Sequence, residues 1–252
     1  MKIKIFYILP SYNESENIQP LLKSFDKFYK RKKTAIFIIL VNDGSTDNTL
    51  SIISNIKKKI SKKIKIKVIN HRINKGFGKA LESGFKYVIN NANDKDFIVT
   101  MDTDNSHTVA LSYSLVNKLE KENKDVAIAS RYVRNSKIKG LQTSRKFLSF
   151  AAAILFKIFY PIKNIKDYTS GFRAFKVKKI RNIIKKNKFF FSETGFSASV
   201  DILLKLYVYK NSLSFCELPI NLRYDLKKGK SKMKIFKTIY LNLRILILRK
   251  IL

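Results

Sequence analysis

The most informative stretch of this chain is Phe97-Ile98-Val99-Thr100-Met101-Asp102-Thr103-Asp104. Its first residues are apolar and rich in β-branched side chains, which is typical of a buried strand. In extended backbone, side chains two residues apart point to the same side, so the two carboxylates face the same way. They repel each other unless a cation lies between them, and hard oxygen ligands suit Mg²⁺ or Mn²⁺ rather than zinc. The stretch therefore predicts a metal site at a strand end, where the cation would hold a diphosphate.

Two further predicted strands end in polar groups. Residues 3–9 form an apolar strand that stops at a turn containing Tyr12 and Glu14, and residues 35–41 form a fully apolar strand just before Asp43. Strands that alternate with helical patterns predict an α/β fold with a mostly parallel sheet flanked by helices. Ligands of such sheets bind beyond the carboxyl ends of the strands, so these acidic side chains are expected to converge at one edge. Their convergence makes a simple Asp-rich turn the weaker interpretation of residues 102–104.

The glycines that follow a third predicted strand, residues 64–69, do not complete a dinucleotide-binding motif. The chain continues Asn74-Lys75-Gly76-Phe77-Gly78-Lys79, and Leu81 stands where that motif requires its third glycine. The two glycines are therefore expected to form a turn that allows close backbone approach. A further strand is predicted at residues 126–129.

The chain is strongly basic, with 52 Lys and Arg against 18 Asp and Glu and a net charge of +34. Such a charge attracts polyanions, among them nucleic acid, anionic lipid and phosphorylated substrates, although part of it can simply be lysine on solvated faces. A nucleic-acid-binding protein would place aromatic and basic side chains together on a sheet face. Here the aromatic side chains lie in apolar predicted strands, so we expect no nucleic-acid partner and keep that function as a distant alternative.

The cysteine content and the first residues of the sequence indicate the cellular compartment of the protein. A single cysteine, Cys216, excludes an internal disulfide and a cysteine metal cluster, which fits a reducing compartment. The first residues enter a predicted strand directly, without an apolar signal region. We therefore expect a cytoplasmic protein.

Beyond residue 130 the chain carries fixed cations beside a long apolar helix. Arg131 follows the strand at 126–129, and Arg145 precedes an apolar stretch at residues 147–160. As a helix this stretch would span about 20 Å, short of the roughly 30 Å of a bilayer core. It is therefore expected to lie in one face of a membrane or to pack in the protein core.

The rest of this half alternates short elements with basic loops. Residues 167–175 predict a turn with one fixed cation, followed by a helix at 198–209 and a strand at 213–218. A basic, glycine-containing loop covers residues 224–232. Residues 233–252 predict a basic amphipathic helix, with an apolar stripe made of Ile235, Ile239, Leu243 and Ile247.

Taken in order, these segments resemble family two of the glycosyltransferases, which has the Rossmann-like GT-A fold. Pro10-x-Tyr12-Asn13-Glu14 and Asn42-Asp43-Gly44-Ser45-x-Asp47 resemble the family's base- and ribose-binding segments, and Asp102-Thr103-Asp104 resembles its metal-binding Asp-x-Asp. The resemblance implies a Mg²⁺ or Mn²⁺ cofactor on Asp102, Asp104 and Ser106, the last of which stands where the family often has Gln. It also implies nucleotide contacts from Pro10, Tyr12, Glu14, Val41, Asp43, Asp102 and Thr103.

A narrower resemblance is to the dolichol-phosphate mannosyltransferase group and its polyprenyl-phosphate relatives. It rests on Ser130-Arg131-Tyr132, Arg145, Thr169-Ser170-Gly171-Phe172-Arg173 and Gly229-x-Ser231-Lys232. It implies that Arg131, Arg145 and Lys232 face substrate phosphates, and that Arg173 also binds substrate. Two further positions depart from the group: Asp201 replaces a usual Glu, and Leu226 replaces a usual Arg. Lys227 or Lys228 could supply the missing charge, as a point charge without the planar fork of Arg.

The implied reaction is inverting transfer of a mannose- or glucose-type hexose from GDP-mannose or a UDP-hexose to a polyprenyl phosphate. Asp104 and Arg131 are the expected catalytic residues. An acceptor phosphate is already an oxyanion, so it needs cations more than a general base, whereas an acceptor hydroxyl needs a base. A same-fold transferase that adds sugar to a saccharide hydroxyl of the cell envelope is the alternative, with Asp201 or Glu193 as candidate bases.

The domain organisation and location follow from the same resemblance. Residues 1–232 are expected to form a single glycosyltransferase domain, with a nucleotide-sugar half at about 1–130 and an acceptor half at about 131–232. The helix at 233–252 and the helix at 147–160 are expected to associate with an anionic membrane surface. The expected location is therefore peripheral, on the inner face of the membrane, with a membrane-protein subunit as a candidate partner.

Overall fold

The computed structural model describes residues 3–186, 191–208, 213–229, 232 and 235–250, with side chains up to residue 247. The strands are β1 (Lys4–Ser11), β2 (Ala35–Asp43), β3 (Lys65–His71), β4 (Phe97–Thr100), β5 (Val126–Ser130), β6 (Lys137–Lys139), β7 (Arg173–Lys176), β8 (Phe215–Pro219) and β9 (Asn221–Arg223). The helices are α1 (Ser15–Lys32), α2 (Thr49–Lys59), α3 (Phe77–Asn91), α4 (Val109–Lys121), α5 (Thr143–Phe159), α6 (Val177–Lys186), α7 (Ala198–Val208) and α8 (Ile235–Lys250).

Seven strands form one sheet in the order β3-β2-β1-β4-β7-β5-β8, and β6 pairs with β9 in a separate ribbon. Within the sheet only β7 runs antiparallel, between β4 and β5. The mostly parallel α/β sheet expected from the sequence is therefore confirmed. The parallel strands β1, β2 and β4 end at the same edge, with Ser11 opposite Asn42 and Ile8 opposite Thr100.

Helices cover both faces of the sheet because successive strand residues point to opposite sides. Tyr7 and Leu9 of β1 pack in one cluster with α1, α2 and α4, whereas Phe6 and Ile8 pack in the other with α3, α5, α6, α7 and α8. Each of these four side chains is at most 2% exposed. Burying a side chain of this size contributes about 1.5–3 kcal/mol, so the two layers together hold the strand ends in register.

Three strands extend beyond the residues predicted from hydrophobicity. The ladders of β1, β2 and β3 continue to Ser11, Asp43 and His71, because backbone pairing persists after the apolar pattern stops. The turn predicted at residues 167–175 is corrected in the same way, since Arg173–Lys176 form β7. Helix α5 begins at Thr143, so that Arg145 lies in its first turn.

The apolar stripe predicted for the last helix is also corrected. In α8 the buried side chains are Leu241, Ile245 and Leu246, whereas Leu243 and Ile247 are exposed. Helix α8 packs with α5 through the cluster on one face of the sheet. Among the described helices, none combines the length and the apolar content needed to cross a bilayer. Residues 233, 234, 251 and 252 of the predicted tail, and Ser231 of the loop before it, lie outside the described residues.

Close backbone approach at Gly78, near the start of α3, provides a first test of the fold. Its amide donates to the Thr194 carbonyl at 2.7 Å, and an added Cβ would lie 1.9 Å from the Glu193 carbonyl oxygen. We expect Gly78→Ala to lower the free energy of unfolding by about 1–3 kcal/mol, because neither backbone segment can yield cheaply. Urea unfolding measures this, with Gly195→Ala as the control, since its Cβ would meet no atom closer than 3.5 Å. Equal stability of the two variants would contradict the predicted contact.

Candidate active site

A cavity of about 780 Å³ lies where β1, β2 and β4 end, and it extends between α5 and α8. Most of the residues predicted to hold substrate or metal line it. They are Pro10, Tyr12, Glu14, Asp43, Asp102, Thr103, Asp104, Arg131, Arg145 and Lys232. Three predicted residues, Val41, Ser106 and Arg173, do not line the cavity.

The two carboxylates after β4 differ in their surroundings. Burial, and then the neighbouring negative charge of Asp104, raise the pKa of Asp102 to about 7. Burial also acts to raise the pKa of Asp104, but the charge of Lys227, the neighbouring His107 and the hydrogen bonds from Lys227 and Ser106 together hold that pKa below its usual range. Asp104 Oδ2 lies 2.7 Å from Lys227 Nζ, and its Oδ1 accepts the Ser106 amide at 3.0 Å and the Ser106 hydroxyl at 2.5 Å. In this structure Lys227 thus supplies the counter-charge of Asp104, and burial beside Asp104 disfavours the charged form of Asp102.

The donor set suits a divalent cation that also binds substrate. The described residues contain no group of three or more His, Cys, Asp or Glu side chains arranged for a metal. Mg²⁺ is commonly held by one or two carboxylates together with phosphate oxygens and waters, so Asp102 and Asp104 match that pattern. Ser106 is corrected from metal ligand to support of a ligand, because its hydroxyl donates to Asp104 and it is buried outside the cavity lining.

The described residues of the basic loop, 224–229 and 232, bring two lysines to the carboxylates of the cavity. Besides the contact of Lys227 with Asp104, Lys232 Nζ lies 2.5 Å from Glu14 Oε1 and donates to the Asn13 carbonyl at 2.5 Å. Of the two lysines suggested to replace the missing Arg charge, Lys227 is the one among the cavity-lining residues. Both ammonium groups lie beside carboxylates predicted for nucleotide and metal, where they would also meet phosphate oxygens.

Backbone and side-chain contacts fix the wall near the nucleotide segments. The Thr103 hydroxyl donates to the Pro10 carbonyl at 3.0 Å and so joins the ends of β4 and β1. Asp43 accepts the amides of Lys75 and Gly76 at 3.0 and 2.8 Å, which holds the loop before α3 against β2. Val41 is fully buried beneath these contacts and does not line the cavity, so the structure does not support its predicted contact with the nucleotide.

His107 is a lining residue that sequence reasoning missed. Its Nδ1 accepts the Asp102 amide at 3.3 Å, and its ring stacks on Phe172 with centroids 4.5 Å apart. Burial lowers the pKa of His107 to about 4, so the ring is neutral at neutral pH and suited to accept that hydrogen bond. The only signal in the sequence was that His107 lies five residues after Asp102, close to the predicted metal site.

The two cavity arginines differ in what holds them. Arg131 makes a forked contact with the buried Asp167, Nε to Oδ2 at 2.8 Å and Nη2 to Oδ1 at 2.6 Å, and its Nη2 also donates to Thr169. Arg145 has no ion pair among the described residues, and its buried Nε has no hydrogen-bond partner there. Asp167 was missed as a site residue, although a buried Arg calls for an acidic partner.

Arg173 differs from the prediction that it binds substrate. It is 2% exposed, and its Nη1 and Nη2 donate to the carbonyls of Ser199 and Tyr168. Burial lowers its pKa to about 10. The side chain therefore lies under the cavity floor and joins β7 to α7.

Asp201 and Glu193, the candidate bases for a hydroxyl acceptor, also lie outside the cavity lining. Asp201 is 1% exposed and pairs with Lys205 at 2.6 Å, and Glu193 accepts from Arg244 at 2.7 Å. Neither carboxylate is placed to remove a proton from an acceptor in the cavity.

The far end of the cavity is mostly apolar, with Ser149, Lys237, Thr238 and Asn242 as its polar side chains, and it reaches the protein surface. It is lined from α5 and α8 by Leu148, Ala151, Ala152, Leu155, Phe156, Ile235, Ile239, Leu241, Leu243 and Leu246. Three of these side chains, Leu148, Leu155 and Leu243, are also among the exposed apolar residues. The cavity thus passes from acidic strand ends, through two arginines, to an apolar surface.

Known solved structures share this fold. A glucosyl-3-phosphoglycerate synthase from Mycobacterium tuberculosis, in complex with Mn²⁺, UDP and glucosyl-3-phosphoglycerate, has a TM-score of 0.69 at 16% identity over 98% of this chain and 80% of that one. A mannosyl-3-phosphoglycerate synthase from Rubrobacter xylanophilus has a TM-score of 0.70 at 15% identity over 98% and 74% of the two chains. At such identities the likeness shows the fold alone, and it is the GT-A fold.

Sequence comparison gives the family. A dolichol-phosphate mannosyltransferase from Pyrococcus furiosus is 30% identical over 243 residues, 96% of this chain. The chain spans 62% of the length of that relative. An uncharacterized protein from Methanocaldococcus jannaschii is 28% identical over 222 residues, which cover 86% of this chain and 87% of that protein. The family model described as Glycosyl transferase family 2 matches residues 7–184, well over half of the chain, and the chain therefore belongs to glycosyl transferase family 2.

Proposed function

We propose that this protein transfers a hexose from a nucleotide diphosphate sugar to a polyprenyl phosphate, with inversion at the sugar carbon. The observation that carries the proposal is the charge distribution along the cavity. Among the described lining residues, the carboxylates are Glu14, Asp43, Asp102 and Asp104, all on the nucleotide side. The path towards α5 and α8 carries arginines and mostly apolar side chains, with Ser149, Lys237, Thr238 and Asn242 as further polar groups.

The donor would bind along the strand ends. The nucleotide would contact Pro10, Tyr12, Glu14 and Asp43, and its diphosphate would lie near Asp102 and Asp104. A divalent cation bound there, Mg²⁺ or Mn²⁺, would neutralise the departing diphosphate as a Lewis acid. The ammonium groups of Lys227 and Lys232 would turn from the carboxylates that they contact in this structure to the phosphate oxygens.

On the acceptor side, no carboxylate lines the described part of the cavity as a general base, which favours a phosphate over a hydroxyl. An acceptor hydroxyl needs a base that contributes roughly 10²–10⁴ in rate, whereas a phosphate attacks as an oxyanion. The candidate bases Asp201 and Glu193 are engaged by Lys205 and Arg244 away from the cavity. Because no further carboxylate lines the described acceptor side, a covalent sugar intermediate has no nucleophile there, and a single displacement inverts the sugar carbon.

Arg145 is the best-placed cation for the acceptor phosphate. It lines the cavity from the first turn of α5, a helix whose N-terminus has no side-chain cap. The positive end of the helix dipole adds to the attraction of the guanidinium for an anion. Arg131 lies beside it but is already forked onto Asp167. We assign Arg145 the direct phosphate contact, and Arg131 the role of holding the charge and shape of that end of the cavity.

The apolar end of the cavity fits an isoprenoid chain. A polyprenyl tail needs a hydrophobic exit next to its phosphate site, and the cavity walls from α5 and α8 supply one that opens at exposed apolar residues. A saccharide acceptor would need many hydrogen-bonding groups along this path, whereas the described lining from α5 and α8 offers few beside Arg145, namely Ser149, Lys237, Thr238 and Asn242. The alternative transferase acting on a saccharide hydroxyl is therefore less well supported.

The proposal is tested by incubating the purified protein with polyprenyl phosphate, divalent metal and a panel of GDP- and UDP-hexoses. We expect one donor to give a lipid-linked hexose, detected by thin-layer chromatography and mass spectrometry. The control replaces the lipid phosphate with the corresponding free polyprenol. Equal transfer to the polyprenol, or transfer only to added saccharides, would contradict a phosphate acceptor.

Membrane attachment is the accompanying prediction. Exposed apolar side chains on α5 and α8 include Phe147, Phe150, Ile158, Phe236 and Tyr240, and basic residues lie among them. Such an apolar face, together with about 1 kcal/mol for each lysine or arginine near an anionic surface, should hold the protein on acidic vesicles. We expect more sedimentation with acidic than with neutral vesicles, and release by high salt.

The contribution of the apolar face is tested separately with Phe236→Glu, since Phe236 is 88% exposed on α8. This variant should sediment less than the parent protein. Leu50→Glu, on α2 at the opposite face of the sheet, is the matched control. If both variants bind vesicles as the parent does, α8 does not form the membrane face.

A further inference from the structure

A buried histidine contacts Asp43, a residue of the cavity wall, but does not itself line the cavity. His71, the last residue of β3, is 8% exposed, and its Nδ1 lies 2.6 Å from Asp43 Oδ1. Its Nε2 lies 2.9 Å from the hydroxyl of Ser83 on α3. Asp43 lines the cavity, whereas His71 and Ser83 do not. The imidazole thus links the Asp43 carboxylate, which lines the cavity, to helix α3.

The carboxylate of Asp43 is almost saturated by these contacts. Its Oδ1 faces His71 Nδ1 and the Lys75 amide, and its Oδ2 accepts the Gly76 amide. A carboxylate offers about four acceptor positions, so about one is left, on Oδ2, for a ligand in the cavity. Without His71, both oxygens would have acceptor capacity to spare, and the carboxylate could rotate.

We propose that His71, held by Ser83, is a positioning residue that fixes Asp43 and limits it to a single hydrogen bond from the donor nucleotide. This deepens the proposed function and rests on it, because it takes the nucleotide to lie along the strand ends. Asp43 is two strands away from the carboxylate pair after β4, about 10 Å at the usual strand spacing, and so lies on the nucleoside side of a diphosphate bound there.

A single acceptor position discriminates between bases. The uracil ring presents one donor, N3–H, flanked by two carbonyl groups, and one acceptor position satisfies it. Guanine presents two adjacent donors, N1–H and the exocyclic amine, which a carboxylate binds best with both oxygens. With Oδ1 occupied by His71 and Lys75, the second donor of guanine would be left without a partner, which costs affinity. The arrangement therefore selects a uridine nucleotide.

The experiment compares His71→Leu, His71→Asn and Ser83→Ala with the parent protein by calorimetry, using UDP and GDP with Mn²⁺ as probes. The parent should bind UDP more tightly than GDP. His71→Leu should weaken UDP binding by about tenfold, the size expected for a lost hydrogen bond to a charged group, and should narrow the preference over GDP. His71→Asn should restore most of the affinity, because its amide can donate to Asp43 as Nδ1–H does. The UDP affinity of Ser83→Ala should lie between those of His71→Leu and His71→Asn.

Kinetics and unfolding separate positioning from mere stability. In the transfer assay, the changes should appear in KM for the donor and leave kcat and KM for the lipid nearly unchanged. A purely structural role would lower melting temperature and kcat together, without altering the ratio of UDP to GDP affinity, and would overturn the proposal. A parent preference for GDP would overturn it too, as would unchanged UDP affinity in folded His71→Leu. Failure of the parent to bind any nucleotide would instead overturn the proposed function.

Discussion

Asp104→Asn is expected to lower sugar transfer by about 10³-fold or more while leaving the fold intact. Removing one preorganised electrostatic contact at a reacting centre typically costs 10²–10³ in rate, and here the lost charge also weakens the hold on a divalent cation. The substitution keeps the size of the side chain, and its carbonyl can still accept from Ser106. The measurement is the initial rate at saturating donor and acceptor, with metal added.

The matched control is Asp26→Asn. Asp26 also pairs with a lysine, Lys30, at 2.8 Å, but it lies on α1 outside the cavity lining. This variant should transfer sugar at the parent rate. Asp102→Asn should resemble Asp104→Asn, and both should lose Mn²⁺-dependent binding of nucleotide in calorimetry. Near-normal turnover of either folded variant without added metal would refute the metal assignment.

Most strands of the seven-stranded sheet could be predicted because they are strongly apolar, whereas the short strands β6 and β9 and the helices α4 and α6 were not predicted. The ends of β1, β2 and β3 could not be predicted, because Ser11, Asp43 and His71 pair in the sheet without being apolar. Strand β7 was missed for a different reason. It has four residues, follows a turn-forming segment and carries Arg173, so it becomes a strand through its pairing between β4 and β5. Only tertiary context supplies that information.

The same distinction applies to the site. Residues at strand ends could be placed from sequence because parallel strands deliver their carboxyl ends to one edge. Contacts between distant segments could not: Lys227 lies 123 residues from Asp104, and Asp167 lies 36 residues from Arg131. Arg173 shows this limit of sequence-based prediction most clearly. Its motif suggested that it binds substrate, whereas its buried guanidinium donates to two backbone carbonyls instead.

Arg145→Ala is expected to raise KM for polyprenyl phosphate by about ten- to a hundredfold and to leave nucleotide affinity nearly unchanged. A hydrogen bond to a charged group contributes roughly 1.5–3 kcal/mol, which corresponds to that range. The variant should fold normally, because no ion pair to Arg145 exists in the described part of the chain and its Nε has no partner there to be stranded. Arg145→Lys should recover part of the loss, since an ammonium keeps the charge but not the planar fork.

Arg131→Ala should behave differently, and the contrast tests the division of roles between the two arginines. Removing Arg131 leaves the fully buried Asp167 without its counter-charge, and breaking such a pair typically costs about 3–5 kcal/mol of stability. We therefore expect Arg131→Ala to lose stability and activity together. Adding Asp167→Asn to it should restore much of the stability while acceptor binding stays weak.

These expectations are checked by urea unfolding, nucleotide calorimetry and acceptor kinetics on the same preparations, with Lys146→Ala as the control for an exposed cation beside Arg145. A lipid-phosphate site predicts that Arg145→Ala changes only the acceptor kinetics. Equal loss of donor and acceptor binding in that variant would place Arg145 on the nucleotide instead. An unchanged KM for the lipid in Arg145→Ala would show that Arg145 does not bind the acceptor phosphate. A hydroxyl acceptor would then explain the cavity better.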